Sequence, residues 1–197
     1  KGSSSNFASR VLNNVSYARS SLPSLIDYQA GYGAVVNSIT PPEVGAWVGT
    51  TVQGFNLWTG QSIWNVTVED TCYSTTCTVA DHGKVAVLMM GGYFLAWDLA
   101  TGKQAWKGEA MAYPWSEPAF GAYAIQSAYG MLYRQAYDGI YAFDWDDGSI
   151  VWKYTAPALS PYESPYTDEN GTTVYSFNTG ATIADGKMYT YNTEHTE

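Results

Sequence analysis

The feature that most constrains this chain is an eleven-residue phrase written three times. It reads Gly54-Phe-Asn-Leu-Trp-Thr-Gly-Gln-Ser-Ile-Trp64, then Ala96-Trp-Asp-Leu-Ala-Thr-Gly-Lys-Gln-Ala-Trp106, then Ala142-Phe-Asp-Trp-Asp-Asp-Gly-Ser-Ile-Val-Trp152. The shared pattern is a small residue, an aromatic, Asn or Asp, two variable residues, Thr or Asp, Gly, three variable residues and Trp. From Trp64 to Trp106 is 42 residues, and from Trp106 to Trp152 is 46. A period in the forties, filled with short strand-like runs, marks an array in which one supersecondary unit repeats and buries its faces only against its neighbours. The fold class that follows is all-β, a β-propeller with blades of four antiparallel strands.

Each phrase reads as the outer hairpin of a blade. In the second, Tyr93–Leu99 is a strand, Ala100–Lys103 a tight turn and Gln104–Trp106 the start of the returning strand. Gly102, like Gly60 and Gly148, stands where the turn needs a left-handed φ that a Cβ would oppose. The Asn or Asp before it (Asn56, Asp98, Asp144) supplies an acceptor for the turn amides. Ala96 and Ala142 hold the small position, and Trp64, Trp106 and Trp152 project from the last strand, so each blade has a large ring to bury against a neighbour. Upstream strands complete the unit: Cys77–Ala80 and Lys84–Met90 in the second repeat, then Tyr123–Gln126, Met131–Ala136 and Gly139–Phe143 in the third. The first blade is expected to begin near Gly33–Val36 and to end near 64–70. A fourth, incomplete one opens at Ala181–Tyr189.

The motif resembles the tryptophan-docking repeat of the quinoprotein superfamily, the propellers similar to pyrroloquinoline-quinone (PQQ) alcohol dehydrogenases. Ala96–Trp106 matches that pattern throughout. Ala142–Trp152 carries Asp147 where Thr is usual, and Gly54–Trp64 has Gly and Asn in place of Ala and Asp. The resemblance covers residues 33–197 and implies a ring of seven or eight blades, of which this chain holds about three and a half. It leaves 1–32 as an irregular or short-helix segment, with Phe7, Val11, Leu12 and Val15 at helical spacing, Ser4 or Ser5 as a cap and Pro23 as a stop. The superfamily includes PQQ enzymes, cofactor-free assembly scaffolds of the outer membrane and surface proteins, so the resemblance implies a fold more than a chemistry.

Composition narrows the function classes. Charged residues make up 14% and the net charge is −9, so no basic stripe exists to neutralise phosphates and nucleic acid is excluded as a partner. The longest apolar run, Val85 to Trp97, is broken by Gly91 and Gly92; it is a hairpin, too short to span a bilayer. An acidic chain rich in Tyr, Trp, Ser and Thr reads as exported, extracellular or on the cell surface. In such a compartment Cys72 and Cys77 are expected to form a short disulfide, with reduced thiols as the alternative. Asn14, Asn65 and Asn170 head Asn-x-Ser/Thr sequons and are the candidate glycosylation sites.

Catalytic chemistry is not assembled in the sequence. Asp144–Gly148 is acidic, but its Gly is fifth and Thr155 stands twelfth, which is not a calcium loop. A PQQ dehydrogenase implies a calcium-binding carboxylate set and adjacent cysteines; Cys72 and Cys77 are not adjacent, and Asp81, Glu117, Asp138 and Glu163 form no readable constellation. His82 reads as a solvent-facing turn residue. Two long connections, 108–122 with Tyr113 and Trp115 and 156–180 with Tyr162 and Tyr166, are candidate ligand or partner loops, since flat rings offer contact area at low entropy cost. The expected function is therefore a non-catalytic propeller module with a structural, adhesion or scaffold role and no cofactor. The alternatives are part of a PQQ- and Ca²⁺-dependent alcohol or sugar dehydrogenase, and a sugar-binding propeller. Expected partners are the remaining blades of the ring, from the same or another chain, and glycans or surface proteins. Expressed alone, an open array would leave apolar blade faces wet, so these residues are expected to aggregate or pair.

Overall fold

The computed structural model describes residues 23–72, 75, 78–112, 125–177 and 180–192, and among them every regular element is a strand. The first sheet holds β1 (Leu25–Asp27), β2 (Tyr32–Ile39), β3 (Gly49–Asn56) and β4 (Ser62–Val68). The second holds β5 (Thr78–Asp81), β6 (Lys84–Leu88), β7 (Phe94–Asp98) and β8 (Gln104–Lys107). The third holds β9 (Ile125–Ala128), β10 (Met131–Ala136), β11 (Gly139–Asp144) and β12 (Ile150–Tyr154). β13 (Thr182–Ala184) and β14 (Lys187–Tyr189) pair as the opening of a fourth. Strand order in each sheet follows chain order, and the first strands β1, β5 and β9 adjoin one another. Antiparallel meanders that meet along their first strands are propeller blades, and this is a partial propeller.

The first blade starts earlier than Gly33. β1 pairs with β2 through Leu25↔Ala34 and Asp27↔Tyr32, so the end of the segment read as irregular is the blade's innermost strand. Three residues are too few to show the period-two alternation that marks a strand in sequence. The helix expected around Phe7–Val15 lies outside the described residues.

Side-chain alternation explains why the middle blade reads as a continuous apolar run. On β6 and β7, Ala86, Leu88, Phe94 and Ala96 join a core with Leu132, Tyr141 and Phe143 of the third blade. Their neighbours Val85, Val87, Leu95 and Trp97 join a core with Ala34, Val36 and Val52 of the first. Successive residues of a strand face opposite ways, so a blade covered on both sides needs apolar residues at every position. Each fully buried side chain of this size contributes about 1.5–3 kcal/mol of transfer free energy, and the inter-blade contacts hold most of them.

Candidate functional site

The repeated phrase builds the same turn three times. Its turn closes through Gly60 N–H to Asn56 O, Gly102 N–H to Asp98 O and Gly148 N–H to Asp144 O, at 2.9, 2.8 and 3.0 Å. The three glycines have φ of 72°, 71° and 75°. Asn56 Oδ1 accepts from Trp58 N and Thr59 N, Asp98 Oδ1 from Thr101 N, and Asp144 Oδ1 from Asp146 N. The interchange of Thr and Asp has a direct cause. Thr59 and Thr101 Oγ1 accept from the amide two residues on, and Asp147 Oδ1 accepts from Ser149 N in the same way at 2.9 Å. That bond also holds the exposed Asp147 carboxyl below its ordinary pKa.

The small position is set by the tryptophan across the ladder. Gly54 pairs with Trp64, and a Cβ there would stand 2.1 Å from the indole. Ala96 and Ala142 pair likewise with Trp106 and Trp152, and in all three sheets the register slips by a bulge immediately after that pair. Such a bulge re-aims the side chain next to it. Trp64 of the first blade then lies over Gly102 of the second, its Nε1–H donating to Leu99 O at 2.8 Å. Trp106 lies over Gly148 of the third blade and donates to Trp145 O at 2.8 Å. The Trp of the first blade and that of the second are thus each received by the next blade's turn.

Trp152 departs from the burial expected of it. Trp106 is 6% exposed and Trp152 is 38% exposed. Among the described residues the Trp152 indole meets no hydrogen-bond acceptor, and its aromatic neighbour is the Tyr133 ring, 5.8 Å away between centroids. The receiving turn joins the third and fourth strands of a blade, and the described part of the fourth blade consists of β13 and β14.

A second set of inter-blade contacts lies on the first strands, where the sequence reading did not look. Asp27 Oδ2 accepts from Gly83 N in the second blade at 2.7 Å, while Oδ1 accepts from Ala30 N. Asp81 Oδ2 accepts from Ser127 Oγ in the third blade, and Ser127 Oγ accepts in turn from Trp145 Nε1 at 2.9 Å. Tyr129 OH accepts from Gly186 N of the fourth at 2.9 Å. Asp27 and Asp81 both close the first strand of a blade just before its turn, and that placement was the readable signal. His82, exposed as expected, stacks on Trp145 with centroids 5.7 Å apart.

The loop at 156–177 folds onto its own blade. Phe177 N donates to Ala136 O and Tyr175 N to Ala156 O, both at 2.9 Å, and Val174, Tyr175 and Phe177 are buried. Tyr166 stacks flat on Tyr137 with centroids 4.4 Å apart, whereas Tyr162 is 96% exposed. Tyr113, Trp115 and Glu117 lie outside the described residues. Glu163 accepts from Tyr175 OH and from Leu159 N, and its contact with the hydroxyl raises the tyrosine's pKa.

Beneath the loop, Asp138 is fully buried at the β10–β11 turn and accepts from Tyr141 OH at 2.6 Å and Lys153 Nζ at 2.8 Å. Burial pushes the Tyr141 hydroxyl above its ordinary pKa, and the Asp138 carboxylate adds to the shift. For Lys153, burial works against the charge, but Asp138 outweighs it and holds the ammonium above the usual lysine range. Tyr93 is the corresponding case near the second blade. Burial, then its 2.7 Å bond to Asp70 Oδ2, pushes it up to about 12, and Lys107 sits over its ring.

These partners decide what the site can hold. Among the described residues no three His, Cys, Asp or Glu side chains converge as a metal site. Asp138 is neutralised by Lys153, and Glu163 is held by Tyr175. This donor set does not fit a calcium–quinone centre. The expected Cys72–Cys77 disulfide is not shown either. Cys72 is a free thiol, fully buried between the first two blades with Sγ 3.4 Å from Ser38 Oγ, and so faces a core where a loop staple would face the surface. Cys77 lies outside the described residues.

Residues 48–195 match the family model described as outer membrane protein assembly factor BamB. The chain belongs to this family. BamB from Moraxella catarrhalis has a similar solved structure, with a TM-score of 0.57 at 18% identity, covering 85% of this chain and 45% of that one. The computationally designed Ika4 protein gives 0.52 at 15% identity and covers 92% of each chain. The designed Ika8 protein gives 0.51 at 13% identity, covering 87% of this chain and 43% of its own. At such identities the likeness is one of fold, the PQQ-like β-propeller, and this chain spans less than half of the BamB and Ika8 chains. No curated protein matches it. Among the described residues no helix is long and apolar enough to cross a membrane.

Proposed function

We propose that this chain is a non-catalytic propeller module of an exported or cell-surface protein, with a structural, adhesion or scaffold role. One observation carries the reading. Asp138, the fully buried carboxylate of the third blade, accepts through Oδ2 from a lysine and a tyrosine of its own blade. Membership of a family described by an assembly factor supports a role in protein contact. The exposed apolar residues suit such contact: Leu159 and Tyr162 on the 156–177 loop, and Val44 and Trp47 between β2 and β3. The test is dye-linked alcohol and sugar oxidation by the full-length protein with added PQQ and Ca²⁺. No turnover above the cofactor-free control is expected; robust quinone-dependent turnover overturns the proposal.

Export implies glycosylation where the host cell performs it. Asn65 is exposed on β4, with Trp64 and Val66 turned toward the neighbouring blade, and Asn170 is exposed in a polar turn. Both are proposed acceptors; Asn14 lies outside the described residues. Expression in a glycosylating host should give a mass shift that falls in steps in Asn65→Gln and Asn170→Gln. An unshifted mass in such a host removes this part of the proposal.

A further inference from the structure

The third blade holds an amine against a buried carboxyl, with an acid and a base beside them. Lys153 on β12 lies across the ladder from Tyr141 on β11, and Asp138 stands three residues before Tyr141 in the β10–β11 turn. Lys153 Nζ reaches Asp138 Oδ2 at 2.8 Å, and Tyr141 OH donates to that same oxygen at 2.6 Å. The other carboxylate oxygen, Oδ1, is buried and meets no donor among the described residues. Glu169, on the loop that covers the pair, places Oε2 3.5 Å from the same Nζ. The Lys153 side chain is 17% exposed and that of Asp138 0%, and the ammonium sits 5.1 Å from the centre of the Tyr141 ring.

Two charges taken out of water lose hydration that their attraction repays only in part, and an anionic oxygen without a donor adds to the cost. Passing one proton across the contact leaves a neutral amine against a neutral acid, with no change of net charge. The bond that keeps the ammonium protonated is thus also the path by which its proton leaves. Amine and acid are the two halves of an amide. Held together on a sheet, they react with an effective concentration on the order of 10⁵ M or more.

We propose that Lys153 and Asp138 join in an intramolecular isopeptide bond. One ammonium proton passes to Asp138 Oδ2. The freed amine attacks Asp138 Cγ and forms the Nζ–Cγ bond, while the Glu169 carboxylate takes the second proton from nitrogen. The Cγ–Oδ2 bond then breaks. Tyr141 OH holds the departing oxygen, Glu169 returns its proton, and Oδ2 leaves as water with two protons that were the ammonium's. Oδ1 stays as the amide oxygen, and no oxidant, reductant or cofactor enters. The link would clamp the outer strand β12 to the β10–β11 turn, whether or not the module is catalytic. Where it has not closed, Lys153 remains a titrating amine.

The test is the mass of the 197-residue protein, made in a host that adds no glycans, reduced, and incubated at neutral pH before denaturation. It should be lighter than its sequence by one water. Asp138 precedes Gly139 and could lose a water alone by closing on its own backbone, so cleavage is read as well. Trypsin should cut after Arg134 and Lys187 but fail after Lys153, whose amine is acylated. Lys153→Arg should keep its full mass. Glu169→Ala should do so too, or close at least about tenfold more slowly, since a positioned base is worth that much or more. It should also retain the native circular dichroism spectrum, because Glu169 is 76% exposed. A full mass with cleavage after Lys153 in the unaltered protein overturns the bond, as does a missing water that persists in Lys153→Arg. Closure at an unchanged rate in Glu169→Ala overturns the role given to Glu169.

Discussion

Replacing Trp106 by alanine isolates the energy of one blade joint. A tryptophan buries on the order of 200 Å², which at about 25 cal/mol per Å² is roughly 5 kcal/mol as an upper bound. Truncating a large core aromatic costs about 3–5 kcal/mol once partial relaxation is included. The change also removes the donor to Trp145 O in a buried site, a bond worth about 1 kcal/mol. The expected loss is therefore about 4 kcal/mol. Trp152→Ala is the internal control. Its ring is part-exposed, lacks that bond and borders an open groove, so the loss should be about 1–2 kcal/mol. Both variants should be made in the same protein and unfolded by urea and by heat under circular dichroism. For a domain of this size each kcal/mol lowers Tm by about 2–4 °C, so Trp106→Ala should fall by about 8–16 °C and Trp152→Ala by only a few. Equal losses at the two positions, or a loss at Trp106 below about 1 kcal/mol, would refute the idea that the ring is held by the next blade's turn.

Gly148→Ala should cost about 2–3 kcal/mol, because a left-handed φ is strained for alanine and its Cβ would press on the Trp106 ring. Combined with Trp106→Phe the two losses should not add, as a double-mutant cycle would show. Asp27→Ala should cost about 1–3 kcal/mol and expose the Gly83 amide to hydrogen exchange, since that N–H loses its only side-chain acceptor from the first blade. Raising pH should destabilise the fold. Tyr93, Tyr141 and Lys153 all have folded pKa values above their unfolded ones, so their contribution is complete below about pH 10 and is lost as pH climbs through the folded values. Tyrosine absorbance should show Tyr93 ionising near 12, and Asp70→Asn should move that midpoint down; an unmoved midpoint removes the Asp70 contribution and leaves burial as the cause.

The hairpin phrase was legible because its chemistry is local. A turn glycine, an acceptor four residues earlier and a cross-strand pair all fall within eleven residues. β1 was not legible, being three residues long with its partner strand beyond a turn. The bonds of Asp27 to Gly83 and of Asp81 to Ser127 span 56 and 46 residues, and the local signal, an Asp that closes a first strand, does not name the partner. Cys72 was legible in its spacing but not in its setting. Its spacing from Cys77 suggested a staple, while its burial among Val85, Val87 and Met89 comes from the neighbouring blade, which no local pattern reveals. Tyr166 was a candidate ligand residue by composition alone, and its stacking on Tyr137 depends on how a long loop folds back.

That Trp64 and Trp106 each cross to the following blade means that the unit of sequence and the unit of packing are offset by half a joint. A duplication or loss of one whole period, cut anywhere along it, restores the same donor ring and the same receiving turn at every remaining boundary. A cut that removes half a period orphans a ring on one side and a turn on the other. Arrays built on such an offset can change their number of repeats in whole steps without redesigning a single contact, and they resist change in any smaller step.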